Sequence, residues 1–202
     1  MESGLEIRTR PVGLWGVNAY VLVCPETRKS ILVDPGAEPE TLVLLLAESD
    51  PTAILLTHTH SDHTGALAEM RRRLKVPLMA HSDSRADQRL SNGSTVEVGN
   101  RSVKVYHTPG HTPDQISLMI DSPHRAIVGD TIFEGGPGKT WSSADFQVTL
   151  KTLREIVLSW PDETICYPGH GPSFCLGDIR KDLEAFLNKD HGRFFGDATW
   201  DM

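Results

Sequence analysis

The sequence predicts one α/β domain built from two similar halves with mixed sheets, and three observations carry that reading. Apolar runs closed by turn residues recur along the whole 202-residue chain. Hairpins are interspersed with strand-helix-strand passages, which favours layered α/β architecture over a purely parallel, doubly wound sheet. The order of elements also repeats. A strand ending in Asp34, a helix, an Asp-Pro turn and a strand ending in "THTH" are echoed by a strand ending in Asp130, a helix, a Pro-Asp turn and a strand ending in "PGH". The halves are expected to pack face to face. At this length a single domain accounts for residues 1–202, because a second one of ordinary size would leave neither with an adequate core.

Each element follows from its local pattern. "NAYVLVC" (18–24) and "SILVDPG" (30–36) read as strands, the second stopping at Asp34 before a Pro-Gly turn. "ETLVLLLAESD" (40–50) reads as a helix with one buried Leu/Val face, closed by Pro51. "TAILLTHTH" (52–60) is a strand of the fully buried type, followed by a helix at "ALAEMRRRLK" (66–75) and a strand at "VPLMAH" (76–81). "TVEVGNRSVKVYHTPGH" (95–111) reads as a hairpin turning at Gly99-Asn100. "ISLMI" (116–120) and "AIVGD" (126–130) continue the sheet, "DFQVTLKTLREIVLSW" (145–160) is an amphipathic helix, "ETICYPGHG" (163–171) holds a strand stopping before His170, and "DIRKDLEAFLNK" (178–189) is a closing helix.

Composition narrows the function class. Twenty Lys and Arg against 27 Asp and Glu give a formal charge of −7, which disfavours binding to phosphate backbones; "RRR" at 71–73 reads as the solvated face of a helix. No apolar stretch approaches the roughly 18 residues of a membrane span, so no membrane association is expected. "MESGLEIRTRPVG" lacks a basic n-region followed by an apolar h-region, and three cysteines without C-x-x-C spacing fit reduced thiols, so the expected location is cytoplasmic. "GPGKT" is not a phosphate loop, because position 133, where that motif needs Gly, holds Phe133.

The chemistry concentrates where strands end. "AILLTHTHSDHTG" (53–65) places His58, His60, Asp62 and His63 within six positions after an apolar run. In an extended segment residues i and i+2 project to one side, so His58 and His60 reach one ion while Asp62 and His63, beyond the bend, reach another point. His111, Asp130 and His170 each follow a further apolar run, in turns rich in Gly, Pro or Thr. Taken singly each has a structural reading: Asp62 as a helix N-cap, Asp130 as an Asx-turn residue, His107, His111 and His170 as satisfied turn histidines. Their joint occurrence at strand ends favours a metal centre. Imidazole and carboxylate ligands suit zinc, and also iron and other first-row ions.

These motifs carry a family resemblance. "THTHSDHTG", followed in order by "HTPGHTPD", "GDTIF" and "YPGHG", resembles the metallo-β-lactamase-fold superfamily over nearly the whole chain. The resemblance implies a four-layer αββα sandwich with mixed sheets and the site at one sheet edge. It also implies two divalent metal ions, zinc first, with iron or manganese as alternatives. His58, His60 and His111 would hold one ion, Asp62, His63 and His170 the other, and Asp130 would bridge them. Asp62 and Asp130 would take part in catalysis by an activated water, and Asp34 would support the site from outside the ligands; a turn-initiating role for Asp34 before Pro-Gly stays open. "GDTIFEGGPGKTWSSADF" (129–146) is similar to the glyoxalase II (hydroxyacylglutathione hydrolase) branch, in its short form without the C-terminal helical domain, and this implies substrate contacts for Lys139 and Trp141. The implied activity is hydrolysis of a small thioester or ester, of glutathione or another thiol. Persulfide dioxygenases, which share this fold and use one iron, are the alternative that "DFQ" (145–147) raises.

Overall fold

The computed structural model describes residues 4–81, 85–120 and 124–202. Residues 1–3, at the head of the segment read for an export signal, lie outside the described residues. The first half runs β1 (Glu6–Val12), β2 (Val17–Val23), β3 (Lys29–Val33), α1 (Pro39–Leu45), β4 (Asp50–Leu55), a single turn α2 (Ser61–Thr64), α3 (Leu67–Leu74), β5 (Leu78–Ala80) and β6 (Gln88–Arg89). Its strands form one sheet in the order β1-β2-β3-β4-β5-β6. The second half runs β7 (Thr95–Val98), β8 (Arg101–His107), β9 (Ile116–Ile120), β10 (Arg125–Gly129), a small ribbon of β11 (Ile132–Phe133) and β12 (Gly136–Pro137), α4 (Ser143–Glu155) with a 3-10 turn at Val157–Ser159, β13 (Ile165–Pro168), β14 (Phe174–Cys175) and α5 (Leu176–Leu187). Here the sheet order is β14-β13-β10-β9-β8-β7.

The layers follow from the alternation of side chains along strands. In β2 every residue is buried, because Tyr20 and Leu22 face the second sheet while Ala19, Val21 and Val23 face helices. Tyr20, Leu22, Ile31 and Val33 meet Val103, Val105, Leu118 and Ile127 in a core between the sheets. Leu42, Leu67 and Met70 of α1 and α3 cover the outer face of the first sheet; Phe146, Leu153, Leu183 and Phe186 of α4 and α5 cover that of the second. The result is the expected αββα sandwich with mixed sheets. The repeat read in the sequence is physical as well: β3 and β4 pair in parallel across α1, and β10 and β13 pair in parallel across α4.

Several boundaries differ from the sequence pattern. The helix expected over 40–50 stops at Leu45; Glu48 turns the chain at φ 57°, and Asp50 and Pro51 already belong to β4. The strand expected over 52–60 ends at Leu55, so the histidines stand on a loop. β1 carries no apolar alternation in "EIRTRPV", having one exposed face and Pro11, and it becomes a strand by pairing with β2 along its whole length. Among the described residues no helix is long and apolar enough to cross a membrane.

Candidate metal centre

Both parallel crossovers deliver chain to the same sheet edge, beyond the carboxyl ends of their strands. From the first half come Asp34 after β3, and the loop 56–60 after β4 with the turn α2 that follows it. From the second come His111, Asp130 after β10 and His170 after β13. The halves are stitched there: Asn18 N–H donates to the Gly169 carbonyl at 2.7 Å, and the Tyr20 hydroxyl donates to that of Pro168 at 2.6 Å.

The structure brings all seven expected ligand residues together. Ligand atoms of His58, His60 and His111 converge within 4.8 Å of one another, as do those of Asp62, His63 and His170, and those of His58, His63 and Asp130. Asp130 lies between the two histidine groups. Its Oδ2 is 3.5 Å from His111 Nε2 and 3.7 Å from His170 Nε2, while Oδ1 is 3.4 Å from His63 Nε2. Asp62 Oδ2 is 3.2 Å from His170 Nε2 and 3.9 Å from His63 Nε2. The N-cap reading of Asp62 does not hold, since Asp62 sits inside the single turn α2 and the helix it was expected to cap, α3, has Ala66 at its N-cap position.

Backbone and side-chain acceptors fix the ring orientations. His111 Nδ1–H donates to the Lys139 carbonyl at 2.8 Å, and His170 Nδ1–H to the Trp15 carbonyl at 3.0 Å. Asp34 is buried with its backbone at φ 51°, and its carboxylate accepts from Thr57 N–H at 2.8 Å, Thr57 Oγ1 at 2.6 Å and His63 Nδ1–H at 2.9 Å. With its proton spent on Asp34, the Thr57 hydroxyl accepts from His58 Nδ1–H at 3.1 Å. Four histidines thereby turn Nε2 toward the centre, the anchoring typical of metal-bound imidazole. His60 instead presents Nδ1, at 3.1 Å from His58 Nε2 and 2.9 Å from His111 Nε2.

This donor set fits a cation. His60 Nδ1 stands 3.1 Å from His58 Nε2 and 2.9 Å from His111 Nε2, close to the roughly 3.3 Å between nitrogens bound tetrahedrally at 2.0–2.1 Å to one zinc. His63 Nε2 and Asp130 Oδ1 are buried without a hydrogen-bond partner and face each other. The electrostatics agree. Burial holds His58 well below the usual imidazole range and lowers His111 as well. Burial also opposes charge on His63, but Asp34 and Asp130 overcome it and carry that imidazole up to about 10. Burial would raise Asp130, yet His63, with His58 and His111, holds it far below the usual carboxylate range. The site favours positive charge between its carboxylates.

Close packing leaves no slack. A Cβ on Gly169 would fall 2.0 Å from Asp130 Oδ1 and 2.7 Å from His63 Cε1, so only glycine fits there. Trp141 stands at the mouth, 59% exposed, with its ring 6.4 Å from that of His60. Lys139 Nζ lies 5.3 Å from the Trp141 ring centre and pairs with Asp197 at 2.8 Å, so its charge is already engaged while its carbonyl serves His111. Phe133 approaches from the other side, 6.4 Å from the His170 ring. Sequence reasoning missed Thr57, Trp15 and Gly169 as parts of the site. Thr57 and Gly169 lay inside the quoted motifs, but the Trp15 contact had no local signal.

Residues 12–88 and 82–170 match the family model described as the metallo-beta-lactamase superfamily. The chain is 31% identical to the probable metallo-hydrolase YqgX of Bacillus subtilis, over 90% of this chain and 97% of that protein. It is 34% identical to the hydroxyacylglutathione hydrolase of Nitrosococcus oceani over 78% of this chain, and spans 65% of that enzyme's length. The solved structure of ETHE1 from Myxococcus xanthus superposes with a TM-score of 0.81 at 25% identity, covering 92% of this chain and 86% of that one.

Proposed function

The chain belongs to the metallo-beta-lactamase superfamily, and from that premise we propose that it is a metal-dependent hydrolase cleaving small thioesters or esters, in the manner of glyoxalase II. The observation that carries this reading is Asp130 lying between two sets of three ligand residues, each set closed enough to hold one ion. Two divalent ions, held there, would supply a water activated near neutral pH and a Lewis acid for the acyl carbonyl. His58, His60 and His111 would hold one, Asp62, His63 and His170 the other, and Asp130 both; zinc is the proposed metal.

The protein's own groups do the remaining work. Anchored Nδ1–H bonds keep four imidazoles from rotating, so the ligands need little rearrangement. Asp62, turned toward His170 through Oδ2, retains Oδ1 to carry a proton from the attacking water to the departing thiolate. In the balanced reaction water oxygen bonds to the acyl carbon, the C–S bond breaks, and the sulfur leaves with that proton. Lys139 and Trp141, on the His60 side of the mouth, would contact the thiol portion, and the pairing of Lys139 with Asp197 makes that contact more aromatic than ionic. A cytoplasmic location suits such a substrate.

Metal analysis and activity on one preparation test this reading. Zinc near two per chain, with thioester cleavage that chelation abolishes, is the expected result. One iron per chain, with oxygen uptake and sulfite formation from glutathione persulfide, would transfer the protein to the dioxygenase class.

A further inference from the structure

The last residues of the chain return to the rim of the metal centre. Beyond α5, Trp200 is buried; its backbone N–H donates to the Gly135 carbonyl at 3.1 Å and its indole to that of Glu134 at 2.8 Å. Nearer the mouth, Thr140 N–H donates to the Gly196 carbonyl at 3.0 Å, and Gly196 N–H donates in turn to Thr140 Oγ1 at 3.3 Å. Between these anchors a Cβ on Gly136 would fall 2.2 Å from the Ala198 carbonyl oxygen, so the tail is pressed against the loop that carries Lys139 and Trp141. That loop is itself fixed to the centre. A Cβ on Gly138 would stand 1.9 Å from the Asp130 backbone oxygen, and the Lys139 carbonyl holds His111. Asp197 therefore sits on backbone anchored on both sides, with its carboxylate 2.8 Å from Lys139 Nζ.

A lysine beside an exposed tryptophan at the rim of a reactive centre would draw a carboxylate of the substrate. Here Asp197 has taken that cation. A substrate carboxylate must displace Asp197 from Lys139 and then remain beside its negative charge. The pair is partly solvated, its side chains 41% and 78% exposed, so the bias is modest: pairs of this kind are worth up to about a fivefold change in an equilibrium constant. Asp197 is short and its backbone is held, so forming the pair orders little beyond the lysine side chain. An uncharged arm, by contrast, can lie on the Trp141 ring with the ion pair intact.

Resting on the hydrolase reading above, we propose that Asp197 is a specificity-determining residue: by neutralising Lys139 it selects thioesters whose thiol arm carries no carboxylate, and so disfavours glutathione. Zinc-loaded wild type and Asp197→Asn, matched in metal content by mass spectrometry, would be assayed with the acetyl thioesters of N-succinylcysteamine and of its terminal amide, which differ by one negative charge. The wild type is expected to prefer the amide about three- to fivefold in kcat/KM, through KM rather than kcat. Asp197→Asn removes that preference. A wild type that favours the carboxylate or neither substrate, or a preference that survives Asp197→Asn, overturns the proposal. A second measurement does not depend on turnover. The S-methyl thioether of N-succinylcysteamine cannot be hydrolysed, and NMR titration of the Trp141 indole signal, assigned by its loss in Trp141→Ala, should show it binding Asp197→Asn several-fold more tightly than wild type. Equal affinity, or an unmoved Trp141 signal in both proteins, also overturns the proposal. Tighter binding to Asp197→Asn with no thioester or ester cleaved would sink the hydrolase reading while supporting charge selection by Asp197.

Discussion

Asp34 joins two readings that the sequence left side by side. It does turn the chain, in a left-handed conformation that Asp tolerates better than most residues, and Gly36 N–H closes the turn on the Asp34 carbonyl at 2.8 Å. That backbone conformation also swings the carboxylate inward, onto Thr57 and His63. Asp34→Ala would leave His63 Nδ1–H without its acceptor and free Thr57 from its anchor. Metal affinity is expected to fall about 10- to 100-fold, as it does when such partners are removed, and competition with a chromophoric chelator measures it. An unchanged affinity would return Asp34 to a turn residue alone. The use of Nδ1 by His60, against Nε2 by its neighbours, was not legible, because ring orientation depends on acceptors such as the Lys139 and Trp15 carbonyls that come from distant segments.

At the scale of elements, α4 shows how a helix is written locally. Its Ser142 sits at the N-cap, accepts from Asp145 N–H at 3.1 Å and donates to the Asp145 carboxylate at 2.7 Å. Its apolar stripe of Phe146, Leu150 and Leu153 enters the core. Ser142→Ala removes the cap and is expected to cost about 1 kcal/mol, read as a fall in Tm of about 2–4 °C for a chain of this size. A Tm within error of the wild type would mean that tertiary packing alone defines the start of α4. The helices and buried strands were legible because both faces or one stripe must be apolar. β1, the β11–β12 ribbon and the single turn α2 were not, since partners elsewhere in the chain, rather than their own periodicity, make them.

For the whole molecule, the centre draws His58, His60, Asp62 and His63 from one half and His111, Asp130 and His170 from the other. An ion held there would fasten the two sheets at one edge, and its ligands come together only in the folded chain. With free metal at about 100 times its Kd the gain is about 2.7 kcal/mol, so chelation should lower Tm by roughly 5–10 °C. Calorimetry with and without chelator, followed by restoration with zinc, checks this; an identical Tm would separate metal binding from folding. The tail beyond α5 contributes as well, because Trp200 and Ala198 pack into the α4–α5 core and the Trp200 indole donates to the Glu134 carbonyl at 2.8 Å. That anchor brings Asp197 within reach of Lys139.

By itself the sequence determined the layered α/β class, the two-part order of elements and a gathering of histidines and aspartates at strand ends, from which the family resemblance singled out the seven clustered residues. Those follow from local patterns, since apolar periodicity reports burial and ligand residue types report chemistry. Tertiary structure alone decided which nitrogen each histidine presents, that Lys139 is spoken for by Asp197, and that the Trp15 carbonyl accepts from His170. These depend on side chains far apart in the chain meeting at one sheet edge, and no local pattern encodes a distance between segments that only packing brings together.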